Sequence, residues 1–415
     1  MKTIRIGIFG LGRGASFINI IKSCGGEIVA VCEKDEKRTK KALDKIGSPE
    51  GVTCYTDPDR FIEHDMDAVF LANFFHEHAK YAIRALERGV HVLSECISNG
   101  TMAEGVALVR AAEKSSAIYM LAENYPYMKF NKEMKRVYSG GTLGKALFAE
   151  GEYCHPVGPE DDNFTLTYRP YEMHWRHFLP RTYYITHSLA PLMHVTGARP
   201  KRVTAFPVYA PLEEEYPTGT RVGDRAAVIT CLNDDDSVFR VTGCAAWGAH
   251  GNSYRVCCTK GQIENVRGGG GKIMLRYNDW DVPEGMEKVN YYMPEWNDPD
   301  ADKIDQAGHG GGDYLVIRNF FNCIRTGEKT DFDVYFATTT ASVAILAHRS
   351  VMSGGMPMDI PDFRLEEDRI KFENDYDTPF PDLEGNGATL PCCSRPDYLP
   401  SESQLERYRK VINKQ

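Results

Sequence analysis

The sequence predicts an α/β chain. Its first part is a doubly wound parallel sheet, and its second part is an α+β region on an open, largely antiparallel sheet. Three observations carry this. A glycine-rich turn, Gly10-Leu11-Gly12-Arg13-Gly14-Ala15, joins a short apolar run to a helical one. Apolar runs then alternate with helical segments as far as residue 125. From residue 146 the pattern changes to alternating runs separated by turn residues.

In order, residues 4–9 read as a strand, 15–21 as a helix and 27–32 as a second strand ending in Glu33. Residues 36–46 and 59–63 read as helices, 68–72 as a buried strand, and 78–88 as a helix closed by Gly89. A strand at 90–94, a helix at 101–115 and a strand at 119–122 complete the alternation. In the second part, 146–152, 203–208, 226–232, 238–246, 253–258, 261–265 and 272–277 read as strands, and 313–325 and 334–353 as helices returning toward the first domain. Such a sheet leaves one face free for a helix or another subunit. The expected division is 1–125, 126–375 and an irregular tail, 376–415, rich in Pro, Gly and Asn.

Composition excludes several classes. With 415 residues the chain suits two or three domains of ~150 residues. A hydrophobic content of 42% and a charged content of 26% are globular values. A diffuse net charge of -9 argues against nucleic acid or an anionic membrane as partner. No apolar run approaches the ~18 residues of a membrane span. The twelve cysteines are scattered without Cys-x-x-Cys spacing, and the N-terminus enters a strand without a signal-peptide pattern. A cytoplasmic protein with reduced thiols is expected.

The glycine turn carries chemistry because of its context. Gly10 permits the tight turn, Gly12 lets backbone approach a pyrophosphate, and small Ala15 lets helix pack on strand. Glu33, ~20 residues on, suits the ribose hydroxyls of NAD and repels a 2′-phosphate, a preference that Lys34 and Arg38 soften. Ligands on such sheets lie beyond the strand C-termini. This singles out Asn73, Phe74, Phe75 and His78, then Glu95 and Cys96, then Asn124, as residues lining a dinucleotide site together with Leu11, Arg13 and Gly14.

These features, with Val90-His91-Val92-Leu93-Ser94-Glu95, Gly144-Lys145-Ala146 and Asp333-Val334-Tyr335, resemble the glucose–fructose oxidoreductase / inositol dehydrogenase / MocA family over nearly the whole chain. The resemblance implies an N-terminal Rossmann domain, a C-terminal antiparallel domain, NAD(P), and oxidation of a sugar or polyol hydroxyl. The family's Glu-Lys-Pro motif is departed from, because the chain reads Glu95-Cys96-Ile97. A thiol cannot take the place of the lysine in proton transfer. Either the enzyme is inactive or another residue moves the proton.

The NAD-dependent glycosidases of the superfamily, typified by α-N-acetylgalactosaminidases, also lack that lysine, and the chain resembles them more closely. The matching segments are Glu123-Asn124-Tyr125-Pro126-Tyr127, Tyr184-Ile185-Thr186-His187-Ser188-Leu189-Ala190-Pro191 and His309-Gly310-Gly311-Gly312-Asp313. Ile97 and Ile185 replace prolines of that pattern, and Ala190 replaces a glycine.

His187, at the start of a helical segment, reads as the catalytic acid or base, with Tyr184 as its partner; a capping histidine is the plainer alternative. Glu95 reads as orienting the substrate or the nicotinamide, and Tyr127 and His309 as pocket residues. The polar-aromatic stretch holding Tyr168, Arg169, His174, Trp175, Arg176 and Tyr183 reads as a sugar site, since aromatic faces stack on sugar rings and Arg and His bond hydroxyls. Ordinary packing is the alternative there. The spacings of His174 with His177 and of His187 with His194 make no zinc signature, so no metal is expected. The expected function is redox-neutral glycoside hydrolysis with NAD on a small carbohydrate or glycoside, in a homodimer or homotetramer. A sugar dehydrogenase and a non-catalytic NAD(H) sensor are the alternatives.

Overall fold

The computed structural model describes residues 2–47, 49–156 and 172–412. These form two compact units: residues 1–129, 295–341 and 362–375 make the first, and 130–294, 342–361 and 376–415 the second. The contiguous division expected from sequence differs, because two later segments return to the first unit and the tail packs with the second.

The first unit holds a six-stranded parallel sheet of β1 (Ile4–Phe9), β2 (Gly26–Cys32), β3 (Thr53–Tyr55), β4 (Ala68–Leu71), β5 (His91–Ser94) and β6 (Tyr119–Leu121), in the order β3-β2-β1-β4-β5-β6. Central strand β4 is apolar throughout: Ala68, Val69, Phe70 and Leu71 are all fully buried, as a sheet covered on both faces requires. The helices start where short polar side chains can cap them. Asp35 accepts from the Lys37 and Arg38 amides ahead of helix Glu36–Ile46, and Thr101 forms a capping box with Glu104 ahead of helix Met102–Lys114. Edge strand β3, only three residues long, gave no periodicity to read.

The second unit holds a nine-stranded sheet of β7 (Ala146–Cys154), β8 (Pro200–Tyr209), β9 (Asp224–Asn233), β10 (Val238–Ala245), β11 (Gly251–Cys258), β12 (Gly261–Asn265), β13 (Ile273–Tyr277), β14 (Val289–Tyr292) and β15 (Met358–Asp359). Its order is β14-β13-β12-β11-β7-β10-β9-β8-β15, antiparallel except for the β7–β10 pair. Helix Thr186–Thr196 packs on one face. On the other face Phe206 and Val228 stay exposed, paired across β8 and β9.

The tail is not wholly irregular, contrary to expectation: Glu402–Ile412 is a helix. Its start was legible. The Ser401 hydroxyl accepts from the Gln404 amide while Gln404 Oε1 accepts from the Ser401 amide, and Leu405 and Tyr408 form its buried stripe. Helices Lys129–Ser139 and Ala301–Gln306 and strands β14 and β15 were also not anticipated.

Candidate functional site

In the first unit the glycine turn sits at the end of β1. Gly10 has φ +88, and a Cβ there would stand 2.3 Å from the Ala72 carbonyl oxygen, so no other residue fits. Gly12 is exposed, with only the Arg38 guanidinium near its missing Cβ, at 3.4 Å. The role read into Ala15 belongs to Gly14, whose added Cβ would lie 2.5 Å from Ile8 Cγ2. The segment that follows is also corrected: Gly14–Phe17 is a 3-10 turn, and the α-helix begins at Ile18. Bonds from Gly14 N to Gly10 O and from Ser16 N to Arg13 O tighten it.

Glu33 ends β2 as expected. Its carboxylate accepts from the Leu11 amide at 2.9 Å and from the Lys34 and Asp35 amides at 2.9 and 3.2 Å. Arg38 Nη1 stands 3.9 Å away. An acidic group bonded to the glycine loop itself, beside a turn that excludes a Cβ, fits a dinucleotide. After β4, Asn73 and Phe75 are largely withdrawn from solvent, and Phe74 stacks on His76. His78 does not serve a ligand: it is 1% exposed, and its Nδ1 is 2.8 Å from the Ile97 carbonyl oxygen. Burial lowers its pKa and favours a neutral ring there.

Arg13 is the centre of a charged network. Its Nε is 3.1 Å from Glu95 Oε1, and its Nη2 and Nη1 are 2.7 and 3.2 Å from the two Asp313 oxygens. Asn124 donates to Asp313 Oδ1 at 2.7 Å, and His309 Nδ1 lies 3.0 Å from Oδ2. Burial opposes ionisation of Asp313, yet the His309 hydrogen bond and the Arg13 charge hold its carboxyl well below the usual range. His309 keeps 40% of its side chain exposed. Cys96 donates its thiol to Glu123 Oε2 at 3.2 Å, and Glu123 is fully buried. Tyr127 is a packing residue rather than a pocket one: it is 8% exposed, its hydroxyl accepts from Asn319 at 2.5 Å, and its ring meets Phe332 edge-on.

The second unit holds His187 in an aromatic cage. Tyr184 and Tyr153 meet its ring edge-on, with centroids 5.4 and 5.1 Å away, and they stack on each other at 6.1 Å. Two glycines bring this segment onto the sheet. A Cβ on Gly151 of β7 would lie 2.0 Å from the Ser188 carbonyl oxygen, and one on Gly243 of β10 would lie 2.4 Å from that of Tyr184. Tyr254 anchors the turn from below, donating to the His187 carbonyl at 2.5 Å.

Arg176 lies 4.5 Å above Trp175 and 5.9 Å from the Tyr184 ring. Trp175 is largely buried and stacks on His174. His174 is a capping residue, accepting from the Arg176 amide at 3.2 Å. Tyr183 belongs to the core, not to a ligand surface: it is fully buried against Phe380 and His348. The Tyr168 and Arg169 assignments lie outside the described residues. Among the described residues no group of three or more His, Cys, Asp or Glu is placed to hold a metal ion, and no helix is long and apolar enough to cross a membrane.

Sequence reasoning missed Tyr153 and the structural part of Asp313. The signal for Tyr153 was its place two residues after Gly151 on one strand face. The expected strand stopped one residue short of it.

Comparison with known proteins agrees with this architecture. Residues 4–123 match the oxidoreductase family with an NAD-binding Rossmann fold, and residues 227–367 match the C-terminal domain of glycosyl hydrolase 109. A glycosyl hydrolase family 109 protein of Bacteroides thetaiotaomicron is 24% identical, over 88% of this chain and 85% of its own. One from Streptomyces niveus is 28% identical, over 88% and 78%. Among solved structures, levoglucosan dehydrogenase with NADH and levoglucosan superposes with a TM-score of 0.70 at 16% identity, covering 87% of this chain and all of that one. Myo-inositol 2-dehydrogenase from Lactobacillus plantarum gives 0.65 at 17% identity, covering 86% of this chain and all of that one. At these identities the superpositions establish the fold.

Proposed function

Since the chain joins an NAD-binding Rossmann domain of the Gfo/Idh/MocA oxidoreductase family to a C-terminal domain of the glycosyl hydrolase 109 type, and is a carbohydrate-active enzyme of that kind, we propose that it cleaves glycosides by a redox-neutral route. The observation that carries this is the pairing of a missing ammonium with an alternative proton acceptor. Residue 96 is a cysteine bonded to buried Glu123, while His187 meets two stacked tyrosine rings edge-on.

The loop of Gly10, Gly12 and Gly14 and the Glu33 carboxylate would hold the dinucleotide, with Asn73, Phe74 and Asn124 lining the site. The dinucleotide held there would supply reversible hydride acceptance at a sugar ring carbon, taken as C3, so that the cycle has no net redox change. Tyr184 and His187, both on the second unit, would supply the acceptor for a sugar hydroxyl proton. A ketone at C3 acidifies the C2–H bond. His309, oriented through Nδ1 by Asp313, removes that proton, and the C1–aglycone bond breaks as the C1–C2 double bond forms. Water then adds at C1 with the proton returned to C2. In the first unit Arg13 would hold Glu95 ready for a substrate hydroxyl, and in the second Arg176, stacked on Trp175, would bind sugar. No pair of carboxylates flanking an oxocarbenium ion is required, and NAD-dependent glycosidases are a known exception to that pattern.

The test is cleavage of an aryl glycoside in D2O. Deuterium at C2 of the released sugar is expected; cleavage without label removes the elimination step. Net accumulation of NADH with a free sugar would instead mark a sugar dehydrogenase. We place this chemistry in the cytoplasm, on the support of twelve free cysteines, and in a homodimer or tetramer, on the support of the exposed Phe206 and Val228 on the open sheet face.

A further inference from the structure

The turn that carries Trp175 and Arg176 is short, Trp175–Phe178, and owes little to regular structure. Within it His177 is fully buried, and its Nε2 lies 2.9 Å from the hydroxyl of Tyr408, on helix Glu402–Ile412. The two rings meet edge-on at 5.2 Å, and Tyr408 is 1% exposed. A Cβ on Gly219 would lie 2.9 Å from His177 Cε1 and 3.1 Å from Tyr408 Cε1, so the chain passes this junction without a side chain. The His177 carbonyl accepts from the Arg221 amide at 2.7 Å.

The helix is itself pinned. Buried Gln404 donates to the Glu213 carbonyl at 2.8 Å, Ser401 bonds Glu214 at 2.8 Å, and Arg409 reaches Glu172 at 2.6 Å. That last pair joins the helix to the residues just before the turn. From Tyr408, contacts therefore run through His177 to Arg176, and from Arg176 to Tyr184 beside His187.

We propose that Tyr408 is a positioning residue for the sugar site, its hydroxyl fixing the turn that presents Trp175 and Arg176 beside Tyr184. This rests on the glycosidase reading for its kinetic consequence but not for its geometry. The residues concerned, 401–409, lie beyond the 227–367 stretch that matches the glycosyl hydrolase domain.

Tyr408→Phe in the full chain with NAD bound keeps the ring and removes one hydrogen bond, a loss equivalent to about five-fold in an equilibrium constant. KM for an aryl glycoside is expected to rise about five-fold with kcat unchanged, because the altered turn binds sugar and does not move protons. Trp175 reports the same change without substrate: its acrylamide quenching, isolated by subtracting the Trp175→Phe protein, is expected to rise about two-fold in Tyr408→Phe, as the hydrogen bond holding the turn is lost. Unchanged KM and quenching overturn the proposal, as does a fall in kcat and melting temperature with KM unchanged. If the wild-type protein cleaves no glycoside, the glycosidase reading fails, and the quenching result alone decides the clasp.

Discussion

His309 Nδ1 lies 3.0 Å from Asp313 Oδ2, and the same carboxylate is bound by the Arg13 guanidinium. A carboxylate in that position holds the imidazole in one tautomer, with the proton on Nδ1 and Nε2 free to accept another. Asp313 thus links the glycine loop to the imidazole that we propose as the base. Asp313→Asn is expected to lower kcat about 100-fold or more, by analogy with carboxylates that orient a catalytic histidine. KM should change little, and loss of C2 deuterium exchange should track the loss of kcat.

His187→Ala and Tyr184→Phe are each expected to reduce turnover by about 100- to 10,000-fold, the usual contribution of a positioned acid or base. Calorimetry should find NAD affinity unchanged in both, since neither residue belongs to the Rossmann unit. A variant that keeps full turnover would exclude that residue from proton transfer.

Glu33→Ala removes the carboxylate that accepts from Leu11, Lys34 and Asp35. NAD affinity should fall about ten-fold, the equivalent of ~1.4 kcal/mol. The ratio of NAD to NADP affinity should also shrink, because repulsion of the 2′-phosphate is relieved. Fluorescence titration of both nucleotides checks this.

Gly151→Ala and Gly243→Ala place a methyl group within 2.0 and 2.4 Å of backbone oxygens. Each should destabilise the protein by about 2 kcal/mol or more through overpacking. Near-ultraviolet circular dichroism should report a disturbed Tyr153, Tyr184 and His187 cage.

Acid should weaken the fold in two stages. Burial pushes His348 and His76 down to about 4 from an ordinary 6.5. The unfolded chain therefore binds protons that the folded one refuses, and stability falls as pH drops from 6.5 toward 4. Asp313 acts lower. Its depressed pKa contributes stability that is complete above the unfolded value of ~3.9 and is lost as pH falls through the folded one. Melting temperature against pH should slope less between 6.5 and 4 in His348→Gln, and less below that range in Asp313→Asn.

The parallel sheet, the glycine turn with Glu33 and the period-two strands of the second unit are all legible in the linear chain. Each rests on local spacing, and local spacing reports which way a side chain points. It also marked Tyr184 and His187, which stand three apart, one just before and one just inside the start of helix Thr186–Thr196. Which of two chain neighbours is exposed follows instead from packing between distant segments. Tyr183 and Tyr184 are adjacent in the chain, yet one is core and the other faces His187, a difference set by what packs against each side. The same holds for Arg13 and Asp313, 300 residues apart, whose pairing no periodicity encodes. Tyr408 and His177 repeat the lesson at a separation of 231. Long-range contacts depend on how the chain closes in space, and that information is spread over all the residues that pack between them.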